Sequence, residues 1–266
     1  MPEEHRIKFN IANIVFEITG LSEEAISELM QTYPVFLTRS KSDFKIHLSM
    51  KRYQNKTADF QRAILGSDCL YIQQEYFKAK INFKKAKVWI EASPGFGIMS
   101  FLRFLISLIA PEKKQGFLLH AAAVSDNNYG YVFVGPSESG KTTLARLSSK
   151  DKIVLTDETA AIVKTDGNYY VWSTPFIGEF GQVKQNMASP VKAVYFIKKD
   201  SQFRHRQLEK AEAVKLFLGN VILGLQDVEI LNCLFDLFEN FTKRIPCYEF
   251  GFKPEVDIWR YIYGFT

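Results

Sequence analysis

Short apolar stretches recur through residues 1–92, and their pattern predicts a smaller, mostly β N-terminal subdomain. The stretches are rich in β-branched and aromatic residues and partly alternate with polar positions, as half-buried strands do. One segment differs, because it begins at Ser22, carries two glutamates in its first turn and stops before Pro34, which predicts a short helix. Strands are predicted over residues 6–17, 43–50, 69–77, 79–86 and 87–93.

The pattern changes at residues 93–97, where the sequence SPGFG predicts a break between two parts. Apolar residues within 98–109 follow helical spacing and predict a packing helix. From about residue 115 onward helices and strands mix, as an α/β nucleotide-binding fold requires. The sequence therefore predicts two domains, residues 1–92 and 93–266. In the second domain, strands are predicted over residues 116–124, 129–136, 152–158, 192–199 and 245–252, a hairpin over 160–174, and helices over 140–149, 208–220, 221–243 and 254–264.

Composition and charge exclude several classes of protein. Hydrophobic residues make up 47% of the chain and charged residues 24%, which is typical of a globular protein. The net charge of +5 is spread thinly along the sequence, so we expect no nucleic-acid partner. Three separated cysteines without a CxxC pair favour reduced thiols over a disulfide scaffold or a zinc site.

Two segments of the sequence bear on where in the cell the protein is expected. The N-terminal residues are charged and lack the apolar stretch of a signal peptide. The most apolar segment, residues 96–111, is too short to cross a bilayer and contains Arg103. We therefore expect a cytoplasmic protein without a membrane partner.

The chemistry of the chain is concentrated in a glycine-rich loop that fits G-x-x-x-x-G-K-[ST]. The two glycines let the backbone curl so that its N–H groups point at phosphate oxygens, and the following helix adds its positive end. A chance octapeptide is the alternative, but an apolar strand precedes the loop and a helix follows it. No NKxD-like motif follows, which favours ATP over GTP. The candidate nucleotide-binding residues are Gly135, Pro136, Ser137, Glu138, Ser139, Gly140, Lys141, Thr142 and Thr143.

An acidic pair, Asp157 and Glu158, follows the loop after a short helix and a predicted strand. Carboxylates at a strand end suit a Mg²⁺ ligand or a base for a hydroxyl acceptor. Alone, the pair would be interpreted as a polar strand end entering a turn, but beside a phosphate loop the functional interpretation is favoured. The connecting helix is short, so we expect the strand of the pair to lie next to the strand that carries the loop.

Three stretches, LLHAAAV, GPSESGKTTLA and IVLTDE, resemble the kinase domain of the HPr kinase/phosphorylase family. The resemblance spans roughly residues 115–250 and is closer to the looser group of HPr-kinase-like proteins, which includes serine kinases of peptide-modification gene clusters. ATP-dependent phosphoenolpyruvate carboxykinase shares the GKTT loop and a nearby acidic pair. The resemblance implies an α/β P-loop core of the HPr kinase/phosphoenolpyruvate carboxykinase kind, with ATP and Mg²⁺ as cofactors.

By position, the resemblance implies that Lys141 and Thr142 hold phosphate and Mg²⁺. Asp157 takes the place of the base that deprotonates the acceptor hydroxyl, and Glu158 that of a metal-linked aspartate, although the longer arm of glutamate leaves the division of roles open. His120 aligns with a histidine near the pair. Its alternative role is that of a hydrogen-bonded core residue.

The segment 173–182 contributes a further candidate acid, Glu179, for which an exposed loop position is the equal alternative. Lys184 could reach the transferred phosphate, but a solvated lysine is the favoured interpretation. No RG(I/L)G-type signature is found, so neither phosphorylase activity nor HPr as a substrate is implied.

The predicted function is transfer of the ATP γ-phosphate to a hydroxyl, in serine as a free amino acid or within a peptide or protein. The alternative is a non-catalytic ATP-binding module whose N-terminal part recognises a peptide or protein partner. A motor or transporter ATPase is disfavoured because no LSGGQ-like signature follows the loop. A homo-oligomer is left open, because the true HPr enzymes are hexamers.

Overall fold

The computed structural model describes residues 6–50, 62–65, 68–93, 95–113, 116–176, 178–181, 183–253 and 258–264. The chain divides into two compact units, Met1–Leu105 and Ile106–Thr266, called here the N-terminal and C-terminal units. The break predicted between residues 92 and 93 lies just ahead of helix α2, Phe96–Lys113, and the division at residue 105 lies within that helix. Among the described residues, no helix is both long and apolar enough to cross a membrane.

The N-terminal unit contains a seven-stranded mixed sheet in the order β1-β2-β3-β7-β6-β5-β4. β2 and β3 are parallel, and the helix between them starts at Ser22, whose side chain accepts the N–H of Ala25. The described elements are β1 (Arg6–Ile11), β2 (Ile14–Thr19), α1 (Glu23–Thr32), a 3-10 turn (Pro34–Phe36), β3 (Phe44–Met50), β4 (Arg62–Leu65), β5 (Leu70–Gln73), β6 (Phe77–Asn82) and β7 (Lys87–Ala92).

The sheet of the N-terminal unit has one buried face and one solvent-exposed face. In β3, Ile46 and Leu48 are buried, whereas the intervening His47 is exposed. On the buried side, the ring of Phe77 contacts that of Phe101 in α2, with centroids 5.2 Å apart. This alternation is what the sequence pattern predicts for a half-buried sheet.

Three predicted strands of this unit are wrong in extent, one of them the strand expected over residues 79–86, which is β6 and spans Phe77–Asn82. The single strand expected over residues 6–17 is a hairpin, because Ala12 and Asn13 both adopt positive φ, 52° and 61°, and turn the chain back. The strand expected over residues 69–77 ends at Gln73, and β6 begins at Phe77.

The C-terminal unit contains an eight-stranded sheet with the path β10-β8-β11-β12-β13-β15-β14, and β9 pairs with both β8 and β13. Its elements are β8 (Gly116–Asp126), β9 (Tyr129–Val134), α3 (Lys141–Ser148), β10 (Ile153–Thr156), β11 (Thr159–Thr165), β12 (Asn168–Trp172), β13 (Ala188–Lys199), β14 (Arg204–Gln207), α4 (Lys210–Leu218), α5 (Val228–Thr242), β15 (Cys247–Phe252) and α6 (Ile258–Tyr263).

Strand β8 is the centre of this unit. Its first half pairs with β11, and its second half lies between β9 and β10, antiparallel to both. Ala121 and Ala123 belong to the core cluster that includes α4 and α5, whereas Ala122 and Val124 belong to the cluster that includes α3 and α6. Helices therefore cover both faces of this part of the sheet, as the mixed α/β pattern predicts.

The helix predicted over residues 221–243 begins only at Val228. The carboxylate of Asp227 accepts the N–H groups of Glu229 and Ile230, which caps the helix, while Val221 forms a β-bridge with Leu119. Of the helix predicted over 254–264, residues 254–257 lie outside the described residues.

Candidate functional site

The glycine-rich loop occupies residues 135–140, directly after β9 and directly before α3. Gly140 adopts φ +104°, a left-handed conformation that favours glycine, and it is the N-cap residue of α3. At Gly135 a Cβ atom would lie 2.6 Å from the Ser139 hydroxyl oxygen, so the close turn needs glycine. The strand–loop–helix order that the motif requires is therefore present, with each glycine at a position where a side chain would be strained or crowded.

The loop also has unused hydrogen-bonding capacity. The Ser139 hydroxyl is buried and finds no hydrogen-bond partner among the described residues. Leaving such a group unsatisfied costs about 1–3 kcal/mol. The first-turn N–H groups of α3 have no carbonyl partner inside the helix. Buried donors next to a helix N-terminus suit a phosphate group.

Lys141 is buried inside the loop. Its Nζ donates to the carbonyl oxygens of Gly135 and Pro136, each at 2.9 Å. Burial lowers the pKa of Lys141, and the nearby carboxylates of Glu158 and Asp157 oppose that shift. Two neutral carbonyl oxygens of the glycine-rich loop thus hold the Lys141 ammonium group in place.

Asp157 connects the loop to two other segments. Its carboxylate is fully buried and accepts the Gly178 N–H at 2.8 Å and the Phe180 N–H at 3.0 Å. The Thr142 hydroxyl also donates to it, at 3.3 Å. The predicted phosphate loop and the predicted acidic pair therefore meet through Thr142 and Asp157.

Glu158 pairs with His120. His120 Nε2 and Glu158 Oε1 are 2.9 Å apart, and the two side chains are 25% and 37% exposed. The backbone fixes the pair as well, since the Ala121 N–H donates to the Glu158 carbonyl at 3.1 Å. Of the two acids, Glu158 is the one that solvent reaches.

Strand β8 brings the glycine-rich loop and the acidic pair close together. Val134, at the end of β9, is opposite Ala121, and Thr156, at the end of β10, is opposite Ala123. The two strands run in the same direction on opposite sides of β8, so both end within three positions of His120 along that strand. The expectation that β10 lies next to β9 is wrong, because β8 lies between them.

The side chains of Glu179 and Lys184 are exposed to solvent. The Glu179 side chain is 86% exposed, and its carboxylate is 4.0 Å from the Arg146 guanidinium, which also donates to the Glu179 carbonyl at 3.2 Å. Lys184 is exposed. The role of Glu179 as a further active-site acid stays a prediction. Its contacts with Arg146 connect α3 to the 178–180 segment, whose N–H groups bind the Asp157 carboxylate.

Two buried threonines and a glycine surround the acidic pair and were not predicted from the sequence: Thr156, Thr174 and Gly178. The Thr156 hydroxyl accepts the N–H groups of Glu158 at 3.4 Å and Thr159 at 3.3 Å. Thr174 donates to the Thr159 carbonyl at 2.6 Å. Gly178 approaches the carboxylate of Asp157 so closely that a Cβ there would lie 3.0 Å from its Oδ2. The only signal in the sequence was the Pro/Gly composition of residues 173–182.

We expect Thr156→Val to destabilise the fold by about 1–3 kcal/mol, because the buried N–H groups of Glu158 and Thr159 lose their acceptor while the side-chain volume is kept. Urea unfolding measures this loss. Thr165→Val, at the end of β11, is the matched control and is expected to change stability by less than about 0.5 kcal/mol. Equal effects of the two substitutions would show that the Thr156 hydroxyl does not stabilise the connection between β10 and β11.

The chain is thus a protein of two mixed α/β units, the second of which brings a glycine-rich loop and an acidic pair together. A family model described as SynChlorMet cassette protein ScmC matches residues 96–262, more than half of the chain. The chain therefore belongs to the ScmC family. The matching model is not that of an HPr kinase family, to which the motifs bear a resemblance.

Among solved structures, the Hpr(Ser) kinase/phosphatase from Coxiella burnetii is similar over 55% of this chain and 85% of that chain, with 13% sequence identity and a TM-score of 0.34. At that TM-score the likeness is weak. No curated protein sequence matches the chain.

Proposed function

We propose that this protein is an ATP-dependent kinase that transfers the γ-phosphoryl group to a hydroxyl acceptor. The observation that carries the proposal is the hydrogen bond between Thr142, in the first turn of α3 after the glycine-rich loop, and Asp157, in the acidic pair. In P-loop enzymes these two residue types hold Mg²⁺ against the nucleotide phosphates. Their meeting supports a single compact centre for the nucleotide and its metal.

The loop residues fit a nucleotide triphosphate. The Ser139 hydroxyl and the N-terminus of α3 offer donors to phosphate oxygens, and Lys141 offers a cation from the base of the loop. Thr142 and Asp157 would hold Mg²⁺, which when bound neutralises negative charge on the phosphates. No group of three or more His, Cys, Asp or Glu side chains in the described part of the chain could hold a metal. Mg²⁺ usually takes only one or two carboxylates beside phosphates and water.

The acidic pair supports a division of roles opposite to the one that the family resemblance implies. Asp157 has no exposed surface, and its oxygens already accept three hydrogen bonds. Glu158 remains accessible, and His120 orients it. We therefore assign Asp157 to the metal side and Glu158 to the acceptor side. Glu158 would take the acceptor proton as the new oxygen–phosphorus bond forms and ADP leaves.

The test is release of ADP from Mg-ATP by the purified full-length protein, alone and with L-serine or a mixture of serine-containing peptides. The proposal predicts that one of these acceptors stimulates release and recovers labelled γ-phosphate as a phosphoester. Glu158→Gln is the matched variant and is expected to abolish the stimulation. ADP release that no acceptor changes, from a protein that binds ATP, would contradict the kinase proposal.

Gly178→Ala is expected to lower acceptor-stimulated turnover about tenfold or more, equivalent to about 1.4 kcal/mol of barrier. Its Cβ would lie 3.0 Å from Asp157 Oδ2, close enough to shift that carboxylate, and would contact Glu158 Oε2 at 3.4 Å. The measurement is kcat at saturating ATP. Gly219→Ala, whose Cβ meets only ordinary contacts of 3.6 Å or more, is the control and should keep full turnover. Full turnover in Gly178→Ala would show that the 178–180 segment does not position the acids.

One observation favours the alternative function, a non-catalytic ATP-binding module. The buried Asp157 carboxylate accepts hydrogen bonds from Thr142, Gly178 and Phe180, three separate points of the chain, which suits a residue that orders the fold around a bound nucleotide. This alternative predicts tight ATP binding, a rise in thermal stability with ATP, and no turnover with any acceptor.

A further inference from the structure

The exposed face of the N-terminal sheet carries a groove of about 620 Å³, a size typical of ligand sites. A transverse row of side chains crosses four strands through it, because His47 is in register with Trp89, Trp89 with Lys80, and Lys80 with Tyr71. Neighbouring strands are about 4.8 Å apart, so the row is roughly 14 Å long. None of these residues belongs to the candidate nucleotide site.

Two large aromatic side chains in this row face solvent. Tyr71 and Trp89 are each 43% exposed, although both lie on regular strands with a packed face available on the other side. The ammonium group of Lys80 lies between them, 5.3 Å from the Tyr71 ring centroid and 5.7 Å from that of Trp89. Exposed aromatic rings held in order by a cation form a platform on which a planar group can stack.

The groove and its margin are positively charged. Lys78, Lys80 and Glu91 line the groove. Lys45 and Lys87 lie on the same face of β3 and β7, where Lys45 is in register with Glu17 of β2, which pairs with Lys8. The excess of positive charge is complementary to a ligand with carboxylate or phosphate groups.

We propose that this groove binds a short acidic segment of a peptide or protein that also contains an aromatic side chain. A row of roughly 14 Å matches about four residues of extended chain at about 3.3 Å per residue. The lysines would pair with the acidic side chains, and Tyr71 and Trp89 would stack on the aromatic one. The Glu91 carboxylate lines the same groove and disfavours a nucleic acid, whose backbone carries a negative charge at every position. A peptide places its acids only where the lysines lie.

The test is fluorescence anisotropy of the full-length protein with a labelled eight-residue peptide in which glutamates alternate with tyrosine and serine. Two further probes of equal length are the same peptide with lysine in place of glutamate, and oligothymidylate. We expect the acidic peptide to bind more tightly than either. Its affinity should fall at least tenfold between 50 and 200 mM salt, since charge pairs at an exposed surface are screened.

Two double variants separate the charges from the rings. Lys78→Glu with Lys80→Glu, and Tyr71→Ser with Trp89→Ser, should each weaken binding at least tenfold, with an unchanged circular dichroism spectrum. Lys199→Glu with Lys210→Glu, two exposed lysines of the C-terminal unit, is the charge-matched control and should bind as the unaltered protein does. Tighter binding of oligothymidylate, no binding of the acidic peptide, or equal loss in the control would each overturn the proposal. ATP is left out of the assay, so the result is independent of the proposed kinase activity.

Discussion

Lys141→Ala is expected to weaken binding of Mg-ATP at least about a hundredfold, equivalent to about 2.8 kcal/mol. The ammonium group is buried beside the loop and donates to the Gly135 and Pro136 carbonyls, so a phosphate can replace these neutral acceptors with a charge-assisted bond. Isothermal titration calorimetry measures the loss.

The control for Lys141→Ala is Lys150→Ala, which removes an exposed lysine from the turn after α3. It should leave ATP affinity within about twofold, because a solvated charge near the site contributes little. Urea unfolding of both variants separates a loss of phosphate contacts from a loss of folding. If the two variants bind ATP equally, the loop lysine does not contact phosphate.

The acidic pair should give two different defects. Asp157→Asn replaces one of the two oxygens that accept the Gly178 and Phe180 N–H groups with an NH₂ donor. We expect a loss of about 1–3 kcal/mol in unfolding free energy and loss of the Mg²⁺ dependence of ATP binding. Glu158→Gln should fold normally, bind Mg-ATP unchanged and lose about 10²–10⁴ in turnover, the usual contribution of a general base.

The pattern of results distinguishes the two assignments. Urea unfolding, calorimetry with and without Mg²⁺, and acceptor-stimulated ADP release are measured on both variants. If Asp157→Asn keeps Mg-dependent ATP binding and loses only turnover, Asp157 is the base, as the family resemblance implies. The hydrogen bond from Thr142 would then serve to position that base.

Elements governed by local pattern were predictable from the sequence. The alternation of β3, the cap at Ser22 and the strand–loop–helix order around residues 129–149 all depend on neighbours within a few positions. The turn at Ala12-Asn13 was missed, because two non-glycine residues adopt positive φ there. The start of α5 was missed because Val221 pairs with Leu119, a partner far away in the sequence.

The same contrast between local sequence and distant partners applies to the candidate site. The loop and the acidic pair are contiguous motifs, so a chemistry for them could be proposed from the residues alone. The partners of Asp157 were not, because Gly178 and Phe180 approach it from more than twenty positions along the chain through backbone N–H groups that any residue carries. The order of strands was also missed, since nothing local indicates that β8 lies between β9 and β10.

The most direct test of the nucleotide site is calorimetric titration of ATP into the purified protein with and without Mg²⁺. The proposed function predicts one site per chain, dependent on Mg²⁺ and weakened at least about a hundredfold in Lys141→Ala. Absence of binding, or binding that neither Mg²⁺ nor Lys141→Ala affects, would contradict the assignment of residues 135–142 and Asp157 to a nucleotide.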